Sequence, residues 1–255
     1  MKNTSQEALA QQATEYSVSS IASIEPHTAE EYFTILLDRA VRATKSGDYG
    51  ISAALVIRYD DVELISFGQN TIISRRDPFG HAEANAIRNF QRFMALDASD
   101  RIKAAAQWIN PESVVTSRSG MGIFIRSVSP SRTPESILYA TLEPCPMCTV
   151  AIMNSRIQRV IIAIPDVPGG VLAPERLTKL PEVWPRIAAS QGLQVAFTDS
   201  HSPKGTSTYI SPELSAMLDN VFWDSKAERD AEVSKGVLFR SDLGTSIKNI
   251  LRAQL

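Results

Sequence analysis

The sequence predicts an α/β layered domain built on a mixed sheet. Short apolar runs bounded by Gly, Pro and Asp recur along the chain, among them ISAALVI, VELISF, ILYATL, RVIIAI and LQVAF. Between most of them lie segments whose apolar residues return at helical spacing. Only the first two runs are joined without a helix, around Asp60-Asp61, and that pair reads as a β-hairpin. The chain has 255 residues, 44% of them apolar and 21% charged. That is enough for one sizeable core or two small ones.

Taken in order, residues 1–26 are polar without a clear period and read as a loose N-terminal tail. His27 and Thr28 open the first helix, where Thr28 and Glu31 fit a capping box. Tyr32, Ile35, Leu36, Ala40 and Ala43 mark its apolar face, and Gly47 and Gly50 end it. After the hairpin, the loop TIISRRDPFG leads to a helix that begins HAEANAIRNF, with Ala84, Ile87, Phe90 and Met94 expected inward. Residues 96–135 read as an insert: a short helix near 101–108, a Ser-rich stretch, and GIFI at 122–125 as a short strand. Arg118, Arg126 and Arg132 lie in this insert with no acidic residue over 113–134, a local positive charge.

The strand ILYATL then enters a turn with two cysteines and a helix, followed by the strand RVIIAIPD. PERLTKLPEVWPRIAASQG reads as helical turns broken at Pro181 and Pro185, and LQVAFTD as the last strand. Ser211 and Pro212 start a long helix whose stripe is Leu214, Met217, Leu218, Val221 and Phe222. We therefore divide the chain into the tail, a main domain over 27–200, and a helical extension over 201–255.

A net charge of −2 supplies no global attraction to polyanions. Two cysteines cannot make a disulfide framework, the first residues contain no apolar leader, and no run is long enough to span a membrane. A cytoplasmic protein is expected.

The chemistry concentrates in two places. Cys145 and Cys148 stand three apart where a strand becomes a helix, so both sulfurs can reach one point. Catalytic zinc keeps three protein ligands and leaves a fourth position for water. His81, Cys145 and Cys148 supply that number from two helix starts. A helix N-terminus favours thiolate over thiol, and Pro144 and Pro146 suit first-turn positions that have no use for an N–H. A water at the open position has its pKa drawn from ~15.7 towards ~7. Glu83 lies two residues after His81, and mid-helix such residues diverge. The pair works together only at the very start of a helix, where Glu83 would shuttle protons, a role typically worth about 10²–10⁴ in rate. A CxxC between strand and helix is also where a redox pair sits, but that reading leaves the HAE run idle. His27 and His201, the other histidines, have no partner at ligand spacing.

H-A-E followed by P-C-P-M-C resembles the zinc-dependent cytidine and nucleobase deaminase superfamily. The resemblance runs from about residue 28 to 166, and GQNTIISRRDPFGHAE and TLEPCPMC are most similar to the guanine deaminase and tRNA adenosine deaminase branch. It implies a three-layer α/β/α sandwich with a mixed five-stranded sheet, and hydrolytic deamination with loss of ammonia. It assigns His81, Cys145 and Cys148 as zinc ligands, Glu83 as proton shuttle, the Cys145 backbone N–H as a support for the attacking oxygen, and Asn70 as a base contact. It also implies a homodimer or larger assembly. Two features depart from the branch: the 64 positions from His81 to Cys145, and the chain beyond Asp166. The expected substrate is a nucleobase, nucleoside or related aminated heterocycle, purine- or pterin-like. The alternatives are adenosine in tRNA, met by the arginines of the insert, and a non-catalytic accessory protein that keeps zinc for folding.

Overall fold

The computed structural model describes residues 28–97, 99–100, 123–199 and 208–234. The expected tail, the helix near 101–108, the arginine side chains of the insert and the end of the chain lie outside the described residues.

Helix α1 (Ala29–Lys45) opens on the expected capping box: the Thr28 hydroxyl accepts from Glu31 N, and the Glu31 carboxylate accepts from Thr28 N at 2.8 Å. Gly47, at φ +85°, turns the chain out of the helix in a conformation that glycine adopts without strain. The next strand, β1 (Ser52–Gln69), is an 18-residue run that would stretch roughly 60 Å if straight. Its ends instead lie side by side, with Asn70 N donating to Ile51 O at 2.9 Å. The run is therefore a hairpin folded about Asp60-Asp61.

After α2 (Ala82–Met94), strand β2 (Ile123–Leu142) runs antiparallel to both arms of this hairpin. Ala140 stands opposite Ala53 on the inner arm, and Ile123 opposite Ser66 on the outer one. Register shifts between Arg58 and Asp60 and between Asp60 and Val62 carry β2 around the tip. The helix α3 (Pro146–Asn154) leads to β3 (Arg159–Ile164), which is parallel to β2. Two short helices, α4 (Pro174–Leu177) and α5 (Val183–Gln191), precede β4 (Gln194–Phe197), which is parallel to β3. The long helix α6 (Pro212–Ser234) follows. The strand elements are ordered β1-β2-β3-β4; the two arms of β1, the carboxyl half of β2, β3 and β4 make the mixed five-stranded sheet, and the first half of β2 adds along the outer arm.

The two faces of the sheet carry separate cores, as period-2 alternation requires. On one face, Ala54, Val56, Ile65, Phe67, Ile137, Tyr139 and Ile161 pack under α1 and α6. On the other, Ala53, Leu55, Leu138, Val160 and Ile162 meet Ala82, Ala86 and Ile87 of α2 and Ile152 of α3. The molecule is thus a three-layer α/β/α sandwich. No described helix is long and apolar enough to cross a membrane.

Three local expectations change. Phe93 is the buried residue near the end of α2, and Met94 is 47% exposed, because the inward face follows Ala82, Ala86 and Ile87 rather than Ala84. Met217 is 53% exposed, since the buried stripe of α6 is Leu214, Leu218 and Phe222 at strict four-residue spacing. Pro185 does not break a helix: it sits in the first turn of α5, where its missing N–H has no intrahelical partner.

Helix α2 lies directly on β1. A Cβ at Gly68 would stand 2.1 Å from Ala82 O and 2.4 Å from Ala86 N. Three hydrogen bonds stitch the contact: Ser66 Oγ to Ala86 O at 2.7 Å, Asn85 Nδ2 to Gln69 O at 2.9 Å, and Asn89 Nδ2 to Phe67 O at 2.8 Å. Gly68→Ala is expected to cost at least the upper end of the overpacking range, about 3 kcal/mol, because backbone must move. Thermal unfolding would show this as a drop in Tm of roughly 6–12 °C; an unchanged midpoint would contradict this packing.

Candidate metal centre and pocket

The loop between β1 and α2 brings Asn70 and His81 together. Asp48 Oδ1 accepts from Ile73 N at 2.8 Å and Ser74 N at 3.0 Å, and Thr71 N donates to Gly80 O at 2.8 Å. His81 is the N-cap of α2 in extended conformation, so Glu83 is the second helical residue. That placement meets the geometric condition set by the HxE spacing. Cys145 is likewise the N-cap of α3, with Pro146 as its first helical residue. Its own N–H stands outside the helical ladder.

The ligand atoms of His81, Cys145 and Cys148 all lie within 4.8 Å of one another. Cys145 Sγ is 3.7 Å from His81 Nδ1, and the Cys148 thiol donates to Glu83 Oε2 at 3.4 Å. The electrostatics follow from that crowding. The Cys145 thiol is pulled down to about 4 by its hydrogen bond from Cys148, helped by His81. The same contact, with burial, pushes Cys148 up. The hydrogen bond to Cys145 raises His81. Burial raises the Glu83 carboxyl to about 7. Two adjacent sulfurs and a buried carboxyl cannot all ionise without a cation among them. One imidazole and two thiols in reach of a single point form a donor set that suits zinc.

The centre opens into a cavity of about 190 Å³. Asn70 lines it, buried, with its carboxamide oxygen accepting from Ile72 N at 3.2 Å and its NH₂ left as the donor a ligand can use. The sequence assigns no role to four further polar residues of the wall: Tyr49, Glu143, Asp166 and Lys226. One signal does point to two of them. Strands β2 and β3 are parallel, so residues just past Leu142 and Ile164 emerge at the same carboxyl edge, where open α/β sheets bind ligands. Burial raises the Asp166 carboxyl above its ordinary range.

Glu143 is fully occupied. It accepts from Asp166 N at 3.2 Å, Ala173 N at 3.0 Å and Arg176 Nε at 3.0 Å, with a second bond from Arg176 Nη2. A Cβ on Gly170 would stand 2.5 Å from this carboxyl group. Glu143 thereby fixes the loop that carries Asp166. The apolar stripe of α6 also reaches the cavity through Phe222. Gly50 N donates to Ser225 Oγ at 2.8 Å, and a Cβ on Gly50 would stand 2.6 Å from Val221 O, so α6 is docked against this entrance.

A histidine and two cysteines around one point, with a carboxyl beside them that is not itself a ligand, is the arrangement zinc deaminases use. Residues 26–164 match the family model for the cytidine and deoxycytidylate deaminase zinc-binding region, and the chain belongs to that family of zinc-dependent deaminases. A tRNA-specific adenosine deaminase of Haemophilus influenzae is 25% identical over 216 residues, spanning 83% of this chain and 92% of its own. One from Aquifex aeolicus is 30% identical over 146 residues, spanning 56% of this chain and 72% of its own. Among solved structures, a guanine deaminase from Nitrosomonas europaea is similar at 15% identity, with a TM-score of 0.39, over 83% of this chain and 92% of that one.

Removing one partner of a buried charge pair is strongly destabilising, by about 3–5 kcal/mol. Arg176→Met is expected to lower chemical-denaturation stability by that order, and adding Glu143→Gln to recover part of it. Equal stability of wild type and Arg176→Met would show that the backbone donors alone satisfy Glu143.

Proposed function

We propose that the chain deaminates a free aminated heterocycle, purine- or pterin-like, in the cytoplasm and as a homodimer. The size of the cavity carries this reading. At about 190 Å³ it lies below the range typical of drug-sized ligands and suits one fused ring. In this reading His81, Cys145 and Cys148 hold zinc, and the ion when bound supplies an activated water at neutral pH. The donor NH₂ of Asn70 fixes the ring in the plane that presents its amino-bearing carbon. The Cys145 N–H supports the attacking oxygen. Glu83 takes a proton from water and returns it to the departing amine. A C–O bond forms, the C–N bond breaks, and ammonia leaves. A carboxyl raised by burial is suited to both directions of that transfer.

The names of the curated relatives favour a second reading, adenosine in tRNA. That substrate needs the pocket mouth to admit an extruded nucleotide with its flanking backbone. Such a nucleotide would have to pass Phe222 and Lys226 of α6, which line the wall.

The deciding experiment measures zinc per chain and ammonia release from free bases, nucleosides, pterins and tRNA, for wild type and Glu83→Ala. One zinc in both proteins, with turnover of free rings falling about 10²–10⁴-fold in the variant, is the expected result. Turnover of tRNA alone would replace the substrate assignment. A chain without zinc would remove the roles given to its ligands.

A further inference from the structure

Part of the cavity wall comes from α6, whose Phe222 and Lys226 stand four residues apart on one helix face. The Lys226 ammonium is tethered: its Nζ donates to Asp230 Oδ2 at 2.5 Å, and Asp230 Oδ1 accepts from the Tyr49 hydroxyl at 3.4 Å. Asp230 contacts two residues that both line the cavity, and the Lys226 side chain is about one-third exposed at the rim, with this pair biasing it towards the wall. Asp166 is close enough to act on Lys226 electrostatically.

An ammonium has three donors and no acceptor, and Asp230 takes one of them. The complement of the other two is an acceptor on the ligand. A phosphate fits poorly, because Glu83, Glu143 and Asp166 line the same small cavity and Lys226 is the one lysine or arginine among the lining residues. A neutral ring edge with a carbonyl beside an N–H fits well, its carbonyl meeting Lys226 and its N–H meeting Asp166. We propose that Lys226 is a specificity-determining residue that donates to a ring carbonyl of the substrate, so that the pocket selects aminated rings bearing a lactam. This rests on the small-ring reading above.

The test compares guanine, which carries such a carbonyl, with 2,6-diaminopurine, which has an amine in its place. Wild type, Lys226→Met and Lys226→Arg are assayed for kcat/KM on both, with zinc content and Tm measured on each protein. A hydrogen bond from a charged donor corresponds to roughly tenfold to hundredfold in affinity. Lys226→Met is expected to reduce the guanine-to-diaminopurine ratio by that factor, mainly through KM, and Lys226→Arg to keep most of it. Equilibrium binding of xanthine, which keeps the carbonyl and has no amine to lose, should weaken by the same factor in Lys226→Met. If the methionine variant loses zinc or melts early, Lys226→Gln, which retains an N–H donor, is read by the same ratio and should fall between. An unchanged ratio, equal slowing of both rings, or a wild-type preference for 2,6-diaminopurine would overturn the assignment while leaving the small-ring reading in place. Wild-type turnover of neither ring, with tRNA deaminated, would remove both.

Discussion

The direct contact between the backbones of α2 and β1 at Gly68 is the constraint on which the centre depends. It places the first turn of α2, and with it His81 and Glu83, against the sheet at a fixed height. It also shapes the sheet. Asn70 is hydrogen-bonded to Ile51 across the hairpin, so Phe67 and Gln69, out of phase with it, turn their carbonyls outward. Those two outward carbonyls are taken by Asn89 and Asn85 of α2. Strand β2 can therefore line the outer arm only as far as Ser66, where its pairing begins at Ile123.

The second half of the centre is positioned by a different kind of interaction. Glu143 is buried and charge-paired, and it draws the loop after β3 towards the turn that carries Cys145. Val171 N, donating to Pro144 O at 3.1 Å, closes the same junction. The cavity thus has one end built on helix starts and sulfur, and a wall in which Glu143 is held by buried hydrogen bonds and Lys226 by an ion pair at the rim. Neither part would be ordered by apolar packing alone, because both leave polar atoms to be satisfied at the edge of the sheet.

Much of this was legible in the residues. Thr28 with Glu31, Gly47, the Asp60-Asp61 turn, Ser211-Pro212 and the HAE and PCPMC motifs each specify a local geometry, and local geometry is what sequence periodicity encodes. The condition on Glu83, that it stand at a helix start, follows from the HxE spacing alone. What could not be read was adjacency created by strand order. Asp166, Tyr49 and Lys226 are distant in sequence and meet only because β3 ends beside β2 and α6 crosses the loop at Gly50. The inward faces of α2 and α6 differ by one position from the apolar periodicity near Met94 and Met217, where an apolar residue stands beside the one that is buried. The wrap of β2 around the hairpin was hidden because an apolar tetrapeptide amid serines and arginines carries little strand signal.

The separation of 64 positions between His81 and Cys145 has a consequence in polymer terms. Bringing these ligands together closes a long loop of chain. The entropy of closure grows only logarithmically, by about 0.6 kcal/mol for each doubling of loop length. A chain that already closes this loop through sheet pairing can lengthen it at little thermodynamic cost. The cost falls instead on speed, since Ala53 must find Ala140 before the pairing is rewarded. A cation held by both ends would act as a crosslink on the slow step's product, making resistance to unfolding depend on free metal concentration.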